Sequence, residues 1–204
     1  REEVARVNPE CIWLSESVEP EFIVDMRAKG MTHLSDSEIF QAFDMCYDYD
    51  IFKYFRQYLN GEGTLGRYVE AVNMQEYIYP ANYVKMRYLE NHDQDRAKEI
   101  IPKESALRNW TAFLYFQKGA TLLYAGQEFE NDHLPSLFDK EPIDRYTGKD
   151  HTPLLKTLAS IKSAISVPSL FRAEADDEND IADMHSTRDT HRFSGIFSIK
   201  RKCT

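Results

Sequence analysis

The 204-residue sequence predicts an α/β fold built on a parallel sheet, with an antiparallel β unit beginning near its end. Three observations carry that expectation. Strand-like and helix-like patterns alternate four times, which is the mark of βα units. The last of those strand candidates, Ala120 to Ala125, is apolar throughout, as befits a parallel strand covered on both faces. Past Pro168 the apolar residues recur with period two, the spacing of a half-buried antiparallel strand.

The elements follow in order. Glu2 to Val7 reads as the last turns of a helix, stopped by Asn8-Pro9. A buried strand covers Cys11-Ile12-Trp13-Leu14-Ser15 and ends at Glu16. Pro20 starts a helix with Phe22, Ile23 and Met26 on one face, and Gly30 closes it. Ser35-Asp36 caps a short segment carrying Ile39 and Phe40, and Phe43 to Tyr47 is the second strand candidate. Asp50 caps a helix with Ile51, Tyr54, Phe55 and Tyr58 at helical spacing, ended by Gly61. Thr64 opens another, striped by Leu65, Tyr68, Val69 and Val72.

Lys85-Met86-Arg87-Tyr88-Leu89 is the third strand and runs directly into Asn91-His92-Asp93. Leu107, Trp110, Thr111 and Leu114 mark a helix ended by Gly119, and the apolar fourth strand leads into Gly126-Gln127-Glu128. After a polar loop over residues 131–150, Thr152 and Pro153 give the N-cap and first turn of a helix carrying Leu154, Leu158, Ile161 and Ile165. Ala173 to Asp180 reads as an acidic loop, and Phe193, Gly195, Phe197 and Ile199 then alternate with polar residues.

Composition narrows the functional classes. A 42% hydrophobic and 13% aromatic content is that of a folded chain with a real core. The net charge of −9, with no stripe among the 25 Lys and Arg residues, would repel a phosphate backbone, so nucleic acid is not an expected partner. Cys11, Cys46 and Cys203 are odd in number and far apart, and no Cys/His set has zinc spacing. With no run of eighteen apolar residues and no signal-like start, no membrane partner is expected and a cytoplasmic location is favoured over secretion.

Glu16 and Asp93 are the pair to weigh for chemistry. Each follows a strand candidate, and on a parallel barrel such residues project together at the carboxyl-terminal face. Glycoside cleavage needs one carboxylic acid to protonate the leaving oxygen, and negative charge beside an oxocarbenium-like transition state. From the residues alone, a glutamate after a strand is more often a loop residue or helix cap, and an aspartate after histidine more often a turn residue. His133, His151, His185 and His191 share no ligand spacing and read as surface residues. Tyr47, Tyr49, Tyr54 and Tyr58 could stack on a sugar, but core packing explains their spacing better.

Several stretches resemble the α-amylase family of retaining α-glucan hydrolases and transglycosylases. CIWLSESVEPEF (11–22) looks like the family's fifth strand and its general-acid loop, with Glu16 at the acid position. FDMCYDYD (43–50) fits the sixth strand, where Asp44 and Asp48 read as structural. YLENHDQDR (88–96) looks like the motif closing the seventh strand, although Asp95 stands where the family often has proline. GATLLYAGQE (119–128) resembles the eighth.

The resemblance implies a partial TIM (β/α)8 barrel, strands five to eight, over residues 1–167, followed by the first strands of a β domain over 168–204. It also implies that Glu16 is general acid and base, and that Asp93 stabilises the transition state. His92 is then a ligand of sugar hydroxyls, and Asn91 helps to orient the pair. The implied substrate is an α-glucan or malto-oligosaccharide. No cofactor is evident, though many relatives hold a structural calcium ion. The family's nucleophile lies in a Gly-x-Arg-x-Asp segment after the fourth strand, and that segment does not occur among the 204 residues. The expectation is therefore a barrel half that is inactive alone. The alternatives are a non-catalytic half-barrel that binds glucan or self-associates through exposed barrel edges, and a part of a family transglycosylase or isomerase.

Overall fold

Four short parallel strands lie side by side in sequence order, joined by helical crossovers, in a computed structural model that describes residues 1–165, 171–186 and 192–197. They are β1 (Leu14–Ser15), β2 (Met45–Tyr47), β3 (Lys85–Arg87) and β4 (Ala120–Thr121). Pairing of Leu14 with Met45, Cys46 with Lys85 and Met86 with Ala120 brings all four carboxyl-terminal ends to one side. The α/β fold with a parallel sheet follows directly.

Helices α1 (Glu2–Ala5), α2 (Pro20–Ala28) and α3 (Asp36–Ile39) occupy the first third of the chain. Ser35 and Glu38 close a capping box on α3, each side chain meeting the other end of the first turn. Helices α4 (Tyr49–Asn60) and α5 (Leu65–Ile78) then connect β2 to β3. The N-cap of α4 is Asp48, two residues before the Asp50 read from the sequence, and Asp50 lies buried in the first turn. Thr64 caps α5, its hydroxyl accepting from the Arg67 amide at 3.2 Å.

Between β3 and β4 run α6 (Ala97–Ile100), which has no counterpart in the sequence reading, and α7 (Glu104–Phe116). Gln117 ends α7, and Gly119 serves a different purpose. Its φ is +119°, and a Cβ there would stand 2.2 Å from the Lys85 carbonyl oxygen, so only glycine lets the backbone enter β4 against β3. Helix α8 (Thr152–Ala164) is capped by His151, one residue earlier than Thr152. The Lys162 ammonium on α8 donates to the Tyr115 and Gln117 carbonyls at 3.0 and 2.8 Å, covering the open end of α7.

A second sheet of β5 (Phe171–Asp176), β6 (Ile181–Ser186) and β7 (Arg192–Ile196) is antiparallel throughout. Half of the stretch read as an acidic loop, Ala173 to Asp176, is therefore strand. Ala173 turns inward while Arg172, Glu174 and Asp176 face solvent, and an inward alanine gives little hydrophobic signal. Ser198, Ile199, Lys200, Cys203 and the position of the 167/168 boundary lie outside the described residues.

One hydrophobic core joins both sheets. Trp110 on α7, 1% exposed, packs its ring 4.9 Å from Phe55 on α4, 5.6 Å from Tyr68 on α5 and 4.5 Å from Phe197 after β7. The Asn73 side chain on α5 donates to the Ala173 carbonyl and accepts from its amide, at 2.8 and 2.9 Å, pinning β5 against the helix.

Candidate active site

Glu16 leaves the end of β1 and is fixed by its neighbour: the buried Ser17 hydroxyl donates to the Tyr47 carbonyl at the end of β2, 3.1 Å away. His92 and Asp93 lie five and six residues beyond the last residue of β3. The fold brings these three together. His92 Nε2 stands 3.2 Å from an Asp93 carboxylate oxygen and 4.0 Å from Glu16 Oε1. All three side chains are substantially exposed, and Glu16 and Asp93 line an open cleft of about 430 Å³ whose walls include Val18, Glu19, Phe22 and Tyr49, with His92 bridging them at its margin.

Asn91 differs from its neighbours. It is buried, its amide nitrogen donates to the Tyr49 hydroxyl at 3.1 Å, and its side-chain oxygen accepts from the Asp93 backbone amide at 2.9 Å. The second bond is an Asx turn that fixes the main chain carrying Asp93. Tyr49 in turn stacks on Tyr47, with centroids 5.4 Å apart and planes 11° from parallel. Burial pushes the Tyr49 hydroxyl up to about 12, the Asn91 bond opposing it and the Asp93 and Glu16 charges adding to it. Burial raises Tyr47 as well, followed by the same two carboxylates. Tyr49 thus belongs to the cleft wall, whereas Tyr58 is buried and donates to Asp180 and the Phe197 carbonyl.

The loop bearing these residues is anchored by a pair that the sequence reading missed. Arg96 and Glu90 are both fully enclosed and meet at 2.6 Å. Glu90 also accepts from the Ala97 amide at 2.6 Å, which caps α6, and Arg96 donates to the His133 and Ala125 carbonyls beyond β4 at 3.0 Å each. The Arg96 guanidinium lies 4.4 Å over the Tyr124 ring. Burial lifts the Glu90 carboxyl above its ordinary range against the pull of Ala97 and Arg96. The only signal in the sequence was the spacing of Glu90 and Arg96 around the motif, which does not reveal burial.

Behind the cleft, Lys85 and Arg87 project from one face of β3 into a ring of carboxylates. Lys85 pairs with Asp36 and, at 2.8 Å, with Asp50; Arg87 pairs with Asp48 at 2.8 Å and donates to the Gln75 oxygen at 2.6 Å. Burial works to lower Lys85, yet Asp50 and Asp36 outweigh it and hold the ammonium above its ordinary range. Asp48 is thus an ion-pair partner in the interior. Asp44 sits outside, bound to Arg1 at 2.8 Å and accepting from the Trp13 amide.

Among the described residues, two groups of three side chains could meet at a metal ion: Glu16, His92 and Asp93, and Glu104, Glu130 and His151. His151 is therefore not a simple surface residue; its Nε2 lies 2.5 Å from buried Glu130. Each group contains a histidine, a donor set unlike the six to eight oxygens calcium takes, so these groups do not fit the calcium ion of the resemblance and no step runs through one.

Comparisons with known proteins bear on the fold and the family. No protein-family model matches the chain. An α-amylase of Lactobacillus plantarum superposes with a TM-score of 0.82 and 40% identity over 90% of this chain and 44% of its own. A noncanonic maltogenic α-amylase of Thermotoga neapolitana gives 0.73 and 27% over 91% and 41%. The chain belongs to the α-amylase family. A curated α-amylase 2 of Dictyoglomus thermophilum is 26% identical over 87 residues, 42% of this chain and 16% of that protein. The chain thus spans less than half the length of each of these α-amylases. Among the described residues, no helix is long and apolar enough to cross a membrane.

Proposed function

We propose that residues 1–167 form the fifth to eighth βα units of an α-amylase-type catalytic barrel, and residues 168–204 the start of a carboxyl-terminal β domain. The complete barrel is a glycosidase that cleaves α-glucosidic bonds of a malto-oligosaccharide or α-glucan with retention. The observation that carries this reading is the meeting of Glu16 with His92 and Asp93 at the ends of two parallel strands. Glu16 protonates the glycosidic oxygen and later takes a proton from water. Asp93 supplies negative charge to the oxocarbenium-like transition state and, with His92, grips the hydroxyls of the reacting sugar. Asn91 acts through Asp93, by holding its main chain. Phe22 and Tyr49 give the cleft apolar surface for a sugar ring.

The covalent step needs a nucleophilic carboxylate on the opposite wall, and no residue of this chain matches it. The chain alone should therefore show no sustained turnover of starch, maltotriose or an activated α-glucoside. Joined to a relative's first four βα units, it should hydrolyse maltotriose, and Glu16→Gln should lower kcat by roughly 10²–10⁴-fold. Full activity in that variant would overturn the role given to Glu16.

A second reading rests on the sheet edges. Among the described residues, β1 and β4 each have one unpaired side, and Ile12 just before β1 and Leu14 within it are 69% and 41% exposed. Such edges favour self-association. Light scattering that gives a single monomeric species across the micromolar range would count against it.

A further inference from the structure

We propose that Glu16, His92 and Asp93 form a binding site for a divalent transition-metal ion of the zinc class, one that would occupy the cleft in place of a sugar. The first argument is distance. Ligand atoms held at ~2.0–2.2 Å from a tetrahedral ion stand roughly 3.3–3.6 Å apart. His92 Nε2 and Asp93 Oδ2 are already 3.2 Å apart, and Glu16 Oε1 is 4.0 Å from the same nitrogen. One atom from each of the three lies within 4.8 Å of the others before any adjustment. The Glu16 side chain is 56% exposed.

Donor chemistry is the second argument. One imidazole nitrogen with two carboxylate oxygens suits zinc, copper or nickel, whereas magnesium and calcium prefer shells of oxygen alone. Two carboxylates also balance the charge of a divalent ion. A water molecule would complete a four-coordinate shell.

The third argument is a contrast within the molecule. The Glu104, Glu130 and His151 group has the same donor types, but its carboxylates are already neutralised. Lys98 lies 2.7 Å from Glu130 and Lys149 lies 2.7 Å from Glu104, so an entering cation would have to displace two ammonium groups. Among the described residues, no Lys or Arg lines the Glu16 cleft, and Glu19 adds a further negative charge there. No metal-ligand spacing marks this site in the sequence, because Glu16 lies far from the adjacent His92 and Asp93 and meets them only where β1 and β3 end.

The test is a calorimetric titration of zinc chloride into the chain at neutral pH, with Cys11 and Cys203 replaced by serine so that thiols do not compete. One saturable site is expected. Its affinity should fall at least ~10-fold in His92→Ala and in Asp93→Asn, and stay unchanged in His151→Ala. Calcium chloride should give no saturable binding. Absence of a saturable zinc site would overturn the proposal, as would affinity unchanged in both cleft variants or lost in His151→Ala. Both cleft residues are exposed, and circular dichroism verifies that the variants fold. No sugar enters the experiment, so its outcome is separate from that of the glucan reading.

Discussion

Two charged regions, one on β3 and one just past the strand ends, are built in opposite ways. Lys85 and Arg87 are fully buried, and each is matched to carboxylates of Asp36, Asp48 or Asp50, with Gln75 tying the two pairs together. Past the strand end, Glu16 and Asp93 line an open cleft beside His92, with no Lys or Arg among its described lining residues. The buried layer gives each cation a carboxylate partner, and removing one member leaves an orphan charge in the interior. The cleft is left open, which makes poor structural sense and good sense for a group that must meet a ligand. Location relative to the strand end, more than residue type, separates scaffold from candidate site.

Breaking the buried layer should have the largest effect. Asp48→Ala strands the Arg87 guanidinium, and urea unfolding should show a loss of about 3–5 kcal/mol. The double variant Asp48→Leu with Arg87→Met should recover most of that. A single-variant cost near zero would erase the contrast between the two regions.

Asn91 stands at the border between them. Asn91→Ala deletes the bonds to Tyr49 and to the Asp93 amide and should cost about 1–3 kcal/mol. Amide exchange at Asp93 should speed up as well, a change that a loss of packing elsewhere would not produce.

Smaller still is the effect at the α3 capping box, where Ser35 is the chief cause holding the exposed Glu38 carboxyl down at about 2, with Arg27 assisting. Since the folded value lies below the unfolded one, the stabilisation is present above the ordinary carboxylate range and fades as pH falls toward 2. Stability curves of the native chain and of Glu38→Gln should therefore converge on acidification, and parallel curves would rule the effect out. The smallest change is expected in the cleft itself. Glu16→Gln should leave the unfolding midpoint within about 0.5 kcal/mol of the parent, because nothing in the interior depends on that carboxylate.

The sequence made the two regions unequally visible. Glu16 and Asn91-His92-Asp93 could be read because polar residues followed apolar strand candidates, and because the spacing around them resembled a known family. The buried layer could not be read. Its members come from α3, α4, α5 and β3, and a lysine or arginine in a strand gives no sign of where its counter-charge lies. Helix α6 escaped because four residues carry no period, and its start is set by Glu90, seven positions before the amide it accepts from. Strand β5 hid behind an exposed face of charges and an inner face of alanine. Helix caps were displaced by one or two residues, as at Asp48 and His151, where neighbouring candidates compete and only the tertiary contacts decide.

The most direct test of the central claim is a two-dimensional amide NMR titration of the chain with maltotriose, which detects even millimolar binding. The account predicts shifts confined to the cleft, at Glu16 to Glu19, Tyr49 and Asn91 to Gln94, and their disappearance in His92→Ala. Shifts that avoid those residues, or that persist unchanged in His92→Ala, would contradict it.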